Sequence, residues 1–345
     1  MNATKVSGRK QPLIYRLPVI SHFRSSVGLQ RGMLVTGMVL AAVFLLVAVF
    51  APWIAPYGFA QLSDAAGPFP TQQPPSPAHI WGTTVGGYDV YSRVLWGAQT
   101  AAVVIIVAVA MSIFLGVALG LVSGYFGGWL DRVFVVVADA IYAFPSLLLA
   151  IVMSIVISHG QSSFWGGIVA CSISISVVFV PQYFRVIRAE TIRLKAEPYV
   201  ESAKVVGASS IRIMGRHIFK NATRTLPLIF TLNASEAILT LAGLGFLGFG
   251  IEPSSAAEWG YDLNKAIADA SSGIRWTGIY PGTAIVLTVL GLTLVGESMN
   301  DLNDPRLRGR KKAGSKKAPA AGPVSTASPV STAGGQAPEA ESSSS

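Results

Sequence analysis

The sequence predicts an all-α integral membrane protein with six transmembrane helices, and three observations carry that expectation. Hydrophobic residues make up 51% of the 345 residues and charged residues only 12%, against roughly a quarter charged in soluble globular domains. Several charge-free runs reach the roughly 20 apolar residues that a helix needs to cross about 30 Å of hydrocarbon. The Lys and Arg residues between those runs gather on one side, as the bias against translocating cations requires.

Run length places the spans at 33 to 56, 100 to 123, 132 to 157, 163 to 184, 225 to 250 and 277 to 299. The first is too long for a cleavable signal, whose apolar core runs about 7 to 15 residues. It is read as a permanent helix behind a basic segment, residues 1 to 32. Residues 57 to 99 form a long extracytoplasmic loop, and 100 to 310 hold the other five spans around a polar loop at 185 to 224. Of the 26 Lys and Arg residues, all but Arg93, Lys265 and Arg275 lie on the side of the termini and that loop. Both termini and the loop are therefore expected in the cytoplasm. The net charge of +9 is topology rather than a folded basic face for nucleic acid. From Lys311 the composition turns to Ala, Pro, Ser, Gly and Thr, which predicts a disordered cytoplasmic tail over 311 to 345. The lone Cys171 excludes an intrachain disulfide and reads as a small buried hydrophobe.

Within the polar loop, Val200, Ala203, Gly207, Ile211, Met214 and Ile218 recur at three- and four-residue spacing. That is an amphipathic stripe, with Glu201, Lys204, Arg212 and Arg216 off it. Periodicity alone allows an interfacial helix resting on lipid as readily as a docking helix. The residues add more. Glu201-Ser202-Ala203, three residues, Gly207, and Ile218 eleven further on resemble the EAA loop of permeases in binding-protein-dependent ABC importers. Further stretches fall in the same family's order: His79-Ile-Trp-Gly-Thr-Thr84, Asp131-Arg132, Phe144-Pro145, Arg185 to Glu190, Phe246-Leu-Gly-Phe-Gly250, Trp259-Gly260 and Asp304-Pro305-Arg306. The likeness is nearest to the second permease of dipeptide, oligopeptide and nickel systems. Thr84, Tyr88 and Lys220 depart from it, Lys220 standing where the family usually has Pro.

This resemblance implies a type I ABC importer permease fold, whose six spans form half of a pathway in the cell's inner (plasma) membrane. The implied partners are a second homologous permease, two ATP-binding subunits or domains and an extracytoplasmic substrate-binding protein. It implies no catalysis and no cofactor in this chain, with ATP and Mg on the partner subunits. The loop would couple to the ATPase through Glu201, Ser202, Ala203, Gly207 and Ile218, Gly207 allowing close approach and Glu201 pairing with a basic group. The cargo implied is a dipeptide or oligopeptide, with nickel or another small solute as the alternative.

Two carboxylates, Asp139 and Glu236, fall inside the expected spans, Glu236 near the middle of its own. Ionisable residues at that depth usually face a bundle interior or a water-filled route. Asp139, Glu236 and the neighbouring Asn233 are therefore pathway candidates, the alternative being a structural hydrogen bond to a neighbouring helix, with Asn233 near Glu236 as one candidate partner. Both carboxylates could also serve an ion-coupled secondary transporter, although no internal repeat supports that fold. There is no GK[ST] phosphate loop, no HExxH and no CxxC, so neither an ATPase nor a metal site is expected. Gly243-Leu-Gly245-Phe-Leu-Gly248 fits GxGxxG but ends a span, which excludes a dinucleotide site. Gly116, Gly120 and Gly124 suit close helix packing in lipid.

Overall fold

Apolar runs without internal polar demands fold in lipid as helices, because only a helix satisfies every backbone group within its own segment. The computed structural model describes residues 29–158 and 164–303. Its helices are α1 (Leu29–Ile54), α2 (Val90–Phe126), α3 (Gly128–Tyr142), α4 (Ser146–Ser158), α5 (Phe164–Lys195), α6 (Pro198–Val205), α7 (Ser210–Arg212), a π-helical turn (Ile213–Ile218), α8 (Phe219–Ala222), α9 (Leu226–Phe246), α10 (Trp259–Ser271) and α11 (Trp276–Asn303). Five helical runs are long and apolar enough to cross a membrane, and α3 with α4 form a bent pair that makes a sixth span if taken together. Residues 1 to 28, the tail at 311 to 345 and the Asp304-Pro305-Arg306 motif lie outside the described residues.

Three boundaries differ from the expectation, each for a local reason. The loop expected over 57 to 99 ends at Asp89, whose carboxylate accepts from the Ser92 N–H and caps α2 ten residues early. The helix expected to end at 184 runs on to Lys195. Its polar extension is held by Arg188 on Asp131 (2.5 and 2.7 Å) and by Arg193 on Glu190 one turn away. The span expected unbroken over 132 to 157 is two helices meeting at 98°. Pro145 offers no N–H and disfavours helical backbone at Phe144, so the run stops at Tyr142 and restarts at Ser146.

The most extensive packing joins α2 to α5. The glycine stripe is its cause: a Cβ on Gly120 would stand 2.9 Å from the Ile187 Cβ, one on Gly124 2.8 Å from the Arg188 carbonyl, and one on Gly116 closer still to Tyr183. Helix α1 lies on α11 and α2, and α9 on α11 and α10. Leu241, Leu244, Ile238, Ile175, Val104 and Val109 fill the core between them.

The end of the bundle carrying residues 55–89 and 247–275 is a capped layer. It contains a two-stranded antiparallel hairpin, β1 (Ser63–Asp64) and β2 (Gly67–Pro68), and the amphipathic α10. Arg93, 1% exposed, is the buried tie of this layer: its guanidinium reaches Asp262 at 2.8 Å and the Phe59 carbonyl at 3.0 Å. His79 Nδ1 lies 2.9 Å from Asp89, Gln72 donates to Asp269, and Trp81 stacks on Tyr280 at 4.2 Å. Trp259 donates from Nε1 to the Val94 carbonyl, and the wholly buried Glu258 caps α10 by accepting from the Gly260 and Tyr261 N–H groups. Burial outweighs those two donors and pushes the Glu258 carboxyl up to about 8.

Candidate functional site

The opposite end of the bundle carries the polar loop, and its backbone explains the motif. Pro198 opens α6 with its φ already set for a first helical turn. At the far end Gly207 takes φ +83°, its N–H bonds the Lys204 carbonyl and the next N–H, of Ala208, bonds the Ala203 carbonyl. These two bonds form a Schellman stop, which needs a left-handed residue and so favours glycine. Nothing lies within 4 Å of where a Gly207 Cβ would stand. The glycine is required within this chain by backbone conformation rather than by crowding. Ser209 then caps α7, and Phe219 N–H reaches five residues back to Met214.

The stop divides the expected stripe into two parts. Val200, Ile213 and Ile218 are fully buried with Ile187, Leu194 and Tyr125, and Ala203 and Met214 pack against them. Ile218 thus holds the loop onto α5. Ser202 turns its hydroxyl back onto the Pro198 carbonyl, and Asn221 ties α8 to Tyr199 at 3.3 Å. Ile211, although on the stripe, is 79% exposed. It belongs with Val205 and Val206, each 87% exposed, and with the exposed Glu201 at the tip of the loop. The two valines are the residues that periodicity missed. Their signal was adjacency: consecutive β-branched apolar residues directly before a helix-stopping glycine, where a soluble loop would carry polar ones.

The three pathway candidates are not brought together. Asp139 pairs with Arg185 at 2.6 Å, and that guanidinium also lies over the Tyr142 ring at 4.2 Å. Asn233 is buried inside the bundle beside Tyr183. Glu236 points the other way, to the exposed face of α9, and among the described residues no hydrogen bond joins it to Asn233. Its neighbours line a cavity of about 160 Å³ where the broken third span meets α5 and α9, with Tyr142, Phe144 and Ser146 from the break and Phe179 and Gln182 from α5. Beyond the capped layer, an apolar tip on a charged loop and a carboxylate-bearing cavity at a broken span depart from plain helix packing.

Both places lie within the part of the chain that is similar to known proteins. Residues 116–309 match the family described as binding-protein-dependent transport system inner membrane component. Residues 29–75 match the N-terminal transmembrane domain of oligopeptide transport permease C. The chain is 35% identical over 281 residues to the glutathione transport system permease protein GsiD of Escherichia coli O157:H7, covering 80% of this chain and 88% of the relative. The same figures hold for GsiD of Shigella sonnei (strain Ss046). It is 32% identical over 277 residues to the dipeptide transport system permease protein DppC of Alkalihalophilus pseudofirmus, covering 79% and 86%.

Proposed function

Because the chain belongs to the family of binding-protein-dependent transport system inner membrane components, we propose that it is the permease subunit of an ATP-driven importer of dipeptides or oligopeptides. The names of its relatives, transporters of glutathione and of dipeptides, support small peptides as the cargo class. In this reading the chain sits in the inner membrane with its termini in the cytoplasm and forms half of a pathway with a second, homologous permease. A binding protein on the outer face delivers cargo, and two ATP-binding subunits or domains supply the energy with their own ATP and magnesium.

The observation that carries the coupling role is the tip formed by Val205, Val206 and Ile211. Exposed apolar residues rimmed by charge mark a surface meant for a partner. The tip lies in the most cation-rich loop, so it faces the cytoplasm, where the ATPase would be. Glu201 beside it offers a carboxylate to a basic partner group. Gly207 gives the tip its fold, Ser202 closes the first turn of α6 on itself, and Ala203 and Ile218 pack the loop onto α5, so a push on the tip reaches the spans. Within the membrane, Glu236 has the exposed, cavity-lining position that a route needs. Asp139 stands on the same side with its charge neutralised by Arg185, and Asn233 supports the bundle from inside.

Gentle detergent extraction of the tagged chain, followed by mass spectrometry of what co-purifies in fixed ratio, tests the proposal. Two ATP-binding chains or domains and one related permease are expected. A chain that purifies alone, with uptake that survives ATP depletion and collapses with the proton gradient, would replace the reading with an ion-coupled transporter.

A further inference from the structure

The cavity at the broken third span combines features that helix packing does not require. Glu236 lies midway along α9, about 15 Å from either end at ~1.5 Å per residue. A carboxylate at that depth is costly unless something offsets its charge. Among the described residues no Lys, Arg or His pairs with it, and the Arg185 guanidinium over the cavity-lining Tyr142 ring is already taken by Asp139. The walls around it are aromatic and apolar, from Tyr142, Phe144 and Phe179, with only Gln182 and Ser146 adding polar groups. Rings beside a carboxylate favour a cation with apolar substituents, because the faces of the rings carry negative charge. The volume, about 160 Å³, leaves room for an ammonium group and the atoms next to it.

From this geometry we infer that the cavity between the break at Ala143–Pro145 and Glu236 is a transit site for the α-ammonium group of the cargo, which supplies the counter-charge that the chain itself lacks. The inference rests on the peptide-permease reading and goes beyond it by naming the end of the peptide that this subunit handles. Glu236 would be a specificity-determining residue.

The test uses the full assembly in proteoliposomes, with Ser146→Cys placing a thiol at the cavity. Cys171, the sole native cysteine, is fully buried and does not compete for label. Millimolar Ala-Ala is expected to slow maleimide labelling about two-fold once the site is half occupied. N-acetyl-Ala-Ala, at the same salt, is expected to leave it unchanged, and Glu236→Gln is expected to abolish the difference between the two. Equal protection by both dipeptides, protection by neither, or a difference that survives Glu236→Gln overturns the site. The comparison of the two dipeptides is made on the unaltered carboxylate, so it decides the matter even where Glu236→Gln fails to assemble. Binding-protein-dependent uptake of Ala-Ala by the assembly without these substitutions separates the two levels. Uptake without ammonium-dependent protection removes the site alone, whereas absence of uptake removes the peptide reading.

Discussion

Gly207 is a residue whose importance lies in a backbone angle. A valine there would have to hold φ near +83°, at a cost of about 1–2 kcal/mol for an L residue in the left-handed region. The Schellman stop would open and Val205 and Val206 would be re-aimed. Gly207→Val is therefore expected to lose most of the co-purifying ATPase, while Gly207→Asn keeps most of it, since asparagine tolerates that region. Quantitative blotting of the purified assemblies checks this. Glu258 gives a prediction in pH. Its carboxyl, ordinarily near 4.5, is pushed up to about 8 by burial, so between those values the folded chain holds a proton that the unfolded chain has released. Stability is then full below about 4.5 and falls as pH rises, until it levels above about 8. Glu258→Gln gives up one of the two capping bonds, about 1 kcal/mol, yet should flatten thermal stability across that window when melting is followed in detergent. Neither effect was legible in the sequence. The motif drew attention to Gly207 for its size, and Glu258 adjoined Trp259-Gly260 without any sign that it would be buried.

Among the elements, the glycine stripe of α2 was foreseen as a close-packing face, but neither its partner α5 nor the broken span was. Three glycines four residues apart predict close approach wherever they fall, and the structure supplies Tyr183, Ile187 and Arg188 as what they approach. Gly116→Leu should force the two helices apart and destabilise the fold by about 1–3 kcal/mol, read as a lower melting midpoint of the purified chain. The break at Pro145 stood in plain view, yet a run of apolar residues has the same mean hydropathy bent or straight. For the same reason hydropathy ended the fourth span at 184: it registers where lipid stops, whereas α5 continues as a helix in water, held by Arg188 on Asp131. The link between Arg93 and Asp262, 169 residues apart in sequence, has no local signature at all. Arg93 was noted only as a cation on the unexpected side. Removing its side chain would strand a buried carboxylate, and Arg93→Ala is expected to cost about 3–5 kcal/mol, measurable as early thermal inactivation.

For the whole molecule, the distribution of Lys and Arg makes one demand that labelling can check. Ser202→Cys, at the polar loop, should react with an impermeant maleimide only after cells are opened, and Ala65→Cys, in the exposed turn of the hairpin, should react in intact cells. The reverse pattern would invert the orientation and with it the side on which the loop meets its partner. Lys220, where the resemblance noted in the sequence has Pro, also belongs to this scale. The next imino acid is Pro227, tolerated in the first turn of α9, and the segment from Ser210 to Phe246 continues as helical backbone through the π-helical turn, α8 and a 3-10 turn at Thr223–Thr225. From Ser210 to Glu236 that run measures about 39 Å at ~1.5 Å per residue. A tilt of about 5° would carry its inner end some ~3 Å, a distance comparable to the width of the cavity's contents. In mechanical terms the loop is joined to the middle of α9 by successive helical turns rather than by a slack linker, so under the proposed coupling a push on the loop would reach Glu236 as displacement.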